Sequence, residues 1–335
     1  MLVLNPNLSI AADPDILVLE DKETRLTFHG ESAVACKAII EAAPQSNDFE
    51  TIAARSGFSI ATVKRVAELL KADFLAIDTS FPGDSTPAEY LSKIRHCAQF
   101  WNKHIMAQHF ASRLFAGEAT QTEVLGWGIE FYFFVKAAQE YMALGSSRTW
   151  GETAMLAPIW DHFAKEAFHS DIFLQGLLTC GLREKTIRTR MPVPTTAILT
   201  NFLYETSSAG LLEYTTLFAV MQPLSRPATR EEVKSKYDFL REKYPFAIGL
   251  FNSFESHDCM DIALEHSSLT LEPVLEHRGI LSPAEWRSMM RVLEDTANAF
   301  ILFFEGIQKY YRSSSALRYR QTPNAAMAFA LSDQA

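Results

Sequence analysis

Apolar runs at Ile16–Glu20 and Arg25–His29 flank a charged stretch, Asp21–Thr24, and predict a short β-hairpin. The spacing then turns helical. Ser32–Ala43 reads as a helix with Ser32 as its cap. Asp48 is placed to cap a helix over Phe49–Ser56 that Gly57 ends, and Ser59 is placed to cap Ile60–Lys71. Phe74–Ile77 reads as a closing strand. Thr79–Ala88 contains Pro82, Gly83, Asp84, Ser85 and Pro87 and reads as a linker. Beyond it almost every segment carries helical periodicity: Ala88–Phe115, Gln121–Leu144, Gly151–Cys180, Thr195–Met221, Glu231–Phe239, Pro245–His277 and Ser282–Arg312. Glycines and prolines at Gly117, Gly145, Gly181, Pro192–Pro194, Pro223–Pro227 and Gly279 punctuate these segments.

Helix, glycine-containing turn, helix and strand behind a hairpin is a winged-helix arrangement. The helical remainder has no βαβ alternation and predicts an all-α bundle. The expected organisation is a small α+β unit over residues 1–80, a linker at 81–88, a helical domain over 89–319 and a frayed tail at 320–335.

Composition narrows the function classes. With 335 residues, 48% of them apolar, and 24 Phe, 10 Tyr and 5 Trp, the chain can bury a full core. A net charge of −9 argues against a general nucleic-acid binder. In residues 1–80, twelve acidic side chains outnumber seven basic ones, so a DNA-reading role for Lys64, Arg65 and Lys71 would have little phosphate attraction behind it. The four cysteines are scattered without a CxxC pair, which suits free thiols in a reducing cytoplasm. The start lacks a basic leader region, and no apolar run reaches the ~20 residues of a membrane helix. The expectation is a soluble, cytoplasmic protein with no membrane or nucleic-acid partner; a homodimer stays open.

Two polar clusters carry the candidate chemistry. His162, Glu166 and His169 sit at four- and three-residue steps in Trp160–Gly176, and His257 and Asp261 sit four apart in Ser256–Leu269. On a helix such steps keep side chains on one face, within about 60°. Two faces offering imidazole and carboxylate are what a non-haem iron site needs. GxSxG, the P-loop, GxGxxG and HExxH are all absent, and no cysteine stands in a nucleophile motif. The aromatic run Phe131–Phe134 reads as core.

The segments HIMAQHFASRLFAGEATQTEVLGWGIEFYFFVKAAQEYMA, HFAKEAFHSDIFLQGLLTCGL and HDCMDIALEHSSLTLEPVL resemble, in this order, helices of the haem-oxygenase-like bundles, the group that includes thiaminase II and pyrroloquinoline-quinone synthase. The resemblance spans about Pro87–Tyr311 and is to the branch that binds iron. It implies Glu166, His169, His257 and Asp261 as metal ligands, with His162 beside them. The closing histidine of the motif falls on His266, five residues after Asp261, an offset of about 140° on a regular helix. Either a π-bulge brings His266 round or Glu265, at four, takes its place. The middle helix is expected to add one carboxylate. Glu213 is preferred over the aligned position Gln222, nine residues away and so on the opposite face. Glu130 is either near the site or in an internal salt bridge. The resemblance implies two irons, or one, with dioxygen as co-substrate.

The stretch ILVLEDKETRLTFHGESAVACKAIIEAAPQSNDFETIAARSGFSIATVKRVAELLKADFLAI resembles the peptide-recognition module of ribosomal-peptide modifying enzymes, akin to the pyrroloquinoline-quinone chaperone. That implies a precursor or leader peptide added as a strand beside Arg25 and Thr27 and packed against the helix carrying Lys64 and Glu68. The expected function is an iron-dependent oxidase or oxygenase acting on an amino-acid residue of such a peptide. The alternatives are a metal-free binding protein of this fold in a biosynthetic complex, and a cofactor-independent oxidase.

Overall fold

The computed structural model describes residues 1–22, 24–46, 48–148, 152–166, 168–221, 229–263, 270–312, 317 and 320–321. Its first strand, β1 (Leu2–Leu4), precedes an antiparallel sheet of β2 (Ser9–Asp13), β3 (Ile16–Glu20) and β4 (Arg25–His29) in that order. The predicted hairpin is β3–β4, with Leu17 opposite Phe28 and Leu19 opposite Leu26. Alternation along β3 sends Leu17 and Leu19 into the core, and the extra strand β2 is exposed along its length. Sequence reasoning missed β1 and β2: Ser9–Asp13 buries nothing, so it carries no apolar signal.

Three helices follow: α1 (Glu31–Ala42), α2 (Phe49–Ser56) and α3 (Ile60–Ala72). Asp48 accepts the Thr51 amide at 2.6 Å, Ser59 accepts the Thr62 amide at 3.1 Å, and Gly57 ends α2 in the left-handed conformation, φ 76°. The cap of α1 is Gly30 rather than Ser32. A φ of 55° at Gly30 turns the chain out of β4, and the Ser32 hydroxyl donates to His29 O at 2.7 Å. The last strand, β5 (Ala76–Asp78), returns to pair with β1, Val3 facing Ile77, and not with the three-stranded sheet. Leu17, Leu19, Cys36, Ile39, Ile52, Val63 and Leu70 make this unit's own core.

The remaining helices are α4 (Pro87–Met106), α5 (His109–Phe115), α6 (Gln121–Ser146), α7 (Leu156–Glu166), α8 (His169–Thr179), α9 (Glu184–Arg188), α10 (Pro194–Ala209), α11 (Leu211–Met221), α12 (Arg230–Lys243), α13 (Ile248–Ala263), α14 (Leu271–Arg278) and α15 (Pro283–Tyr311). Four of them, α4, α6, α12 and α15, start at Ser/Thr-x-x-Glu capping boxes: Thr86 with Glu89, Thr120 with Glu123, Thr229 with Glu232, and Ser282 with Glu285. Three expected helices are each split in two, at Ala107–Gln108, at Phe168 and at Gly210, while 264–269, between α13 and α14, lie outside the described residues. Helical periodicity carries across such short breaks, so the apolar pattern does not reveal them.

α6 is buried on nearly every side and forms the centre of the bundle, with α8, α10 and α15 packed against it. Trp127 of α6 stacks on Phe254 of α13 at 4.4 Å between centroids. Two short strands, β6 (Arg190–Met191) and β7 (Arg320–Gln321), pair antiparallel, so the first residues of the expected tail are held, and 322–335 lie outside the described residues. The N-terminal unit sits against α4. Lys103 pairs with Asp21 at 3.2 Å, Asn7 Nδ2 meets His104 Nδ1 at 2.7 Å, and Phe74 stacks on His96. Among the described residues no helix is long and apolar enough to cross a membrane.

Candidate metal centre

His162, Glu166 and His169 do not share one helix. α7 ends at Glu166 and α8 begins at His169, so the chain turns between the two residues. The turn nevertheless brings them together: His169 Nδ1 lies 2.7 Å from Glu166 Oε2, and His162 Nε2 lies 3.8 Å from Glu166 Oε1. Glu166 thus stands between two imidazoles, each of its oxygens toward a different ring. His162 is buried and meets the Phe218 ring edge-on at 4.6 Å.

α13 supplies the facing side. The His257 ring lies 4.6 Å from the His169 ring and 5.2 Å from the Phe173 ring. Its Nδ1 is 3.2 Å from Asp261 Oδ2 and 3.9 Å from Asp258 Oδ1. One donor atom from each of Glu166, His169 and His257 falls within a 4.8 Å group, and so does one from each of His257, Asp258 and Asp261. The two groups share His257. The close crossing of α8 on α13 that makes this possible runs over small residues. A Cβ on Gly176 would stand 2.8 Å from Gly249 O and collide with Ser253 Oγ. In the glycine's place, Ser253 Oγ donates to Ile172 O at 2.8 Å.

Burial opposes a charge on His257, but the Asp258, Asp261 and Glu166 carboxylates around it outweigh burial and lift its pKa from 6.5 to about 10. Without a metal, this pocket holds an imidazolium. Asp258 is also partly buried, which favours its neutral acid, yet His257, Lys236 and Tyr237 bring its pKa below the usual carboxylate value. Asp258 was missed by sequence reasoning, which followed the four-residue step from His257 and passed over its neighbour.

Two other candidates, Glu213 and Glu130, lie elsewhere. Glu213 faces α15, where its Oε1 accepts the Ser288 hydroxyl at 2.6 Å, and it joins neither donor group. What α11 turns toward His162 is Phe218. Glu130 is fully buried in an internal salt bridge. Arg190 Nη2 sits 2.6 Å from Oε1, the Tyr311 hydroxyl donates to the same oxygen at 2.8 Å, and the Val193 amide donates to Oε2 at 3.0 Å. Glu130 is therefore fully engaged as a brace between α6, β6 and α15. Gln222, Glu265 and His266 lie outside the described residues. The four cysteines are unpaired, and burial pushes the Cys36 and Cys97 thiols up to about 12, far from reactive thiolates.

Two imidazoles and a carboxylate are the donor set of the facial triad that suits divalent iron and leaves coordination positions open. The residues fit such an ion. His169 Nδ1 approaches Glu166 at 2.7 Å, yet among the described residues no acceptor meets it in hydrogen-bond geometry, as expected of two donors turned toward one point rather than toward each other.

No protein-family model matches the chain. No curated protein matches it either. Solved structures do. A domain of unknown function with a haem-oxygenase-like fold from Shewanella denitrificans superposes with a TM-score of 0.53 at 18% identity, covering 68% of this chain and 97% of its own. A TenA homologue from P. horikoshii superposes with a TM-score of 0.50 at 12% identity, covering 66% of this chain and 98% of its own. At these identities the likeness is one of fold: the bundle has the haem-oxygenase-like fold.

Proposed function

We propose that the protein is a non-haem iron oxidase or oxygenase that uses dioxygen. The observation that carries this reading is the meeting of Glu166, His169 and His257, from the ends or middles of α7, α8 and α13, within 4.8 Å. These three would hold the metal, and Asp261 would either join them or orient His257 through Nδ1. Among the described residues the donors support one iron, because the two possible groups share a single imidazole. Bound iron would supply dioxygen binding and redox chemistry. The chain's own part is to fix the donors and keep water out. Phe173 and Phe218 wall the imidazoles, while Trp160 and Phe168, 58% and 70% exposed, leave an apolar rim on α7 and just beyond its end.

The substrate of this reading is an amino-acid residue of a precursor peptide. Support comes from the N-terminal unit: β4 is an edge strand, and Arg25 and Thr27 on it are exposed, as are Lys64 and Glu68 on α3. Such an edge accepts an extended peptide by backbone pairing, which is the winged-helix module's expected use.

Metal analysis after anaerobic reconstitution with ferrous iron and desalting tests the centre. The wild type should retain about one iron per chain, and Glu166→Ala and His257→Ala should each lose it. Trace iron in the wild type, or undiminished iron in both variants, overturns the proposal in favour of a metal-free protein of this fold.

A further inference from the structure

A carboxylate beside the metal donors is claimed from outside the site. Asp258 Oδ2 accepts the Tyr237 hydroxyl at 2.7 Å and the Lys236 ammonium at 3.2 Å, and Lys236 Nζ in turn lies 3.1 Å from the Tyr237 oxygen. All three groups meet across the α12–α13 contact. Tyr237 is 3% exposed and its ring stacks on Phe254, one turn before Asp258 on the same helix. The Lys236 ammonium lies over the rings of Tyr237 and Phe115, 4.5 and 5.6 Å from their centroids. The ring is thus buried and packed with its hydroxyl on the Asp258 carboxylate. With Oδ2 held from behind, the Asp258 carboxylate keeps Oδ1 toward His257 Nδ1, 3.9 Å away.

We propose that Asp258 is a positioning residue for His257, clamped by Tyr237 and Lys236 of α12, so that a helix carrying no metal donor sets the orientation of one that does. Two aspartates flank the His257 imidazole, and the clamp separates their roles. Asp258 steadies the ring through a carboxylate fixed by α12, while Asp261 Oδ2 reaches the same nitrogen at 3.2 Å from within α13. Outer carboxylates that hold a ligating histidine are worth roughly 10–100-fold in metal affinity. The proposal rests on the metal-centre reading above.

Cobalt(II) titration of the full chain under anaerobic conditions tests it, read by the visible absorption of the bound ion and by affinity. The variants are Tyr237→Phe, which keeps the ring, Lys236→Met, which keeps the stem, Asp258→Asn, and the Tyr237→Phe/Asp258→Asn pair. The wild type should bind cobalt and Glu166→Ala should not. Tyr237→Phe should bind about tenfold more weakly with a changed spectrum. The pair should bind no more weakly than Asp258→Asn, because the phenol acts only through that carboxylate. Should Tyr237→Phe prove unstable, Lys236→Met carries the same expectation in smaller measure. Wild-type affinity and spectrum in both single α12 variants, or additive losses in the pair, overturn the clamp while the metal centre stands. Failure of the wild type to bind cobalt overturns the metal reading and the clamp with it.

Discussion

His257 is the residue on which the candidate centre turns, since both donor groups include it. In the metal-free protein its folded-state pKa of about 10 lies above the 6.5 of a free side chain. The imidazolium therefore stabilises the fold fully below about 6.5, and that contribution is lost as pH rises toward 10. Chelator-treated wild type should lose thermal midpoint across this range relative to His257→Gln; parallel curves for the two proteins would refute the charge assignment. Glu130 shows the opposite use of a buried charge. Removing it in Glu130→Ala leaves Arg190, itself 4% exposed, without its carboxylate and should cost about 3–5 kcal/mol in denaturant unfolding. Iron retention in the folded variant should be unchanged, because Glu130 belongs to neither donor group. Both residues were marked by the sequence as polar groups among apolar neighbours. Which of them joins the candidate donor groups and which pairs with an arginine was settled by partners remote in sequence, Arg190 lying sixty residues from Glu130.

At the scale of elements, the centre depends on how closely α8 approaches α13. A Cβ on Gly249 would stand 2.9 Å from Gly176 O and collide with the Thr179 side chain. Gly249→Ala should force the helices apart at a cost of about 1–3 kcal/mol. It should also weaken cobalt or iron binding, since His169 and His257 ride on the two helices it separates; a destabilised variant with wild-type metal affinity would refute the coupling. Neither glycine was singled out by sequence reasoning, because a close approach needs a partner and the partner is remote in sequence. The α7–α8 break was equally hidden: Glu166 and His169 keep a three-residue step that fits a continuous helix, and the structure reaches the same proximity through a turn.

Across the whole molecule there are two apolar cores joined at α4. The junction combines apolar contacts, with Ile77 in the bundle's core and Val3 and Phe74 against it, and polar ones: Lys103 with Asp21, His104 with Asn7, and the Trp286 indole donating to Thr79 O at 3.0 Å. Asp21 is almost fully buried in this contact, its side chain 5% exposed. Lys103→Ala should lower the unfolding temperature of the N-terminal unit, by roughly 1–3 kcal/mol of stability. Calorimetry should show the bundle's transition unmoved; an equal shift of both would mean that the two cores unfold as one.

The chain by itself determined the fold class and most element starts. Capping boxes, the αL glycine at Gly57 and helical periodicity are local, and local chemistry survives in a one-dimensional string. It also marked Glu166, His169, His257 and Asp261 as one chemistry, because imidazole and carboxylate at helical steps are rare among apolar neighbours. Tertiary structure decided what those residues share. It sent Glu213 to Ser288 and Glu130 to Arg190, placed Phe218 where a carboxylate was expected, and set Asp258 between His257 and Tyr237. Each of these outcomes depends on which helix lies opposite, and pairing between helices distant in sequence is decided by packing, which no single segment encodes.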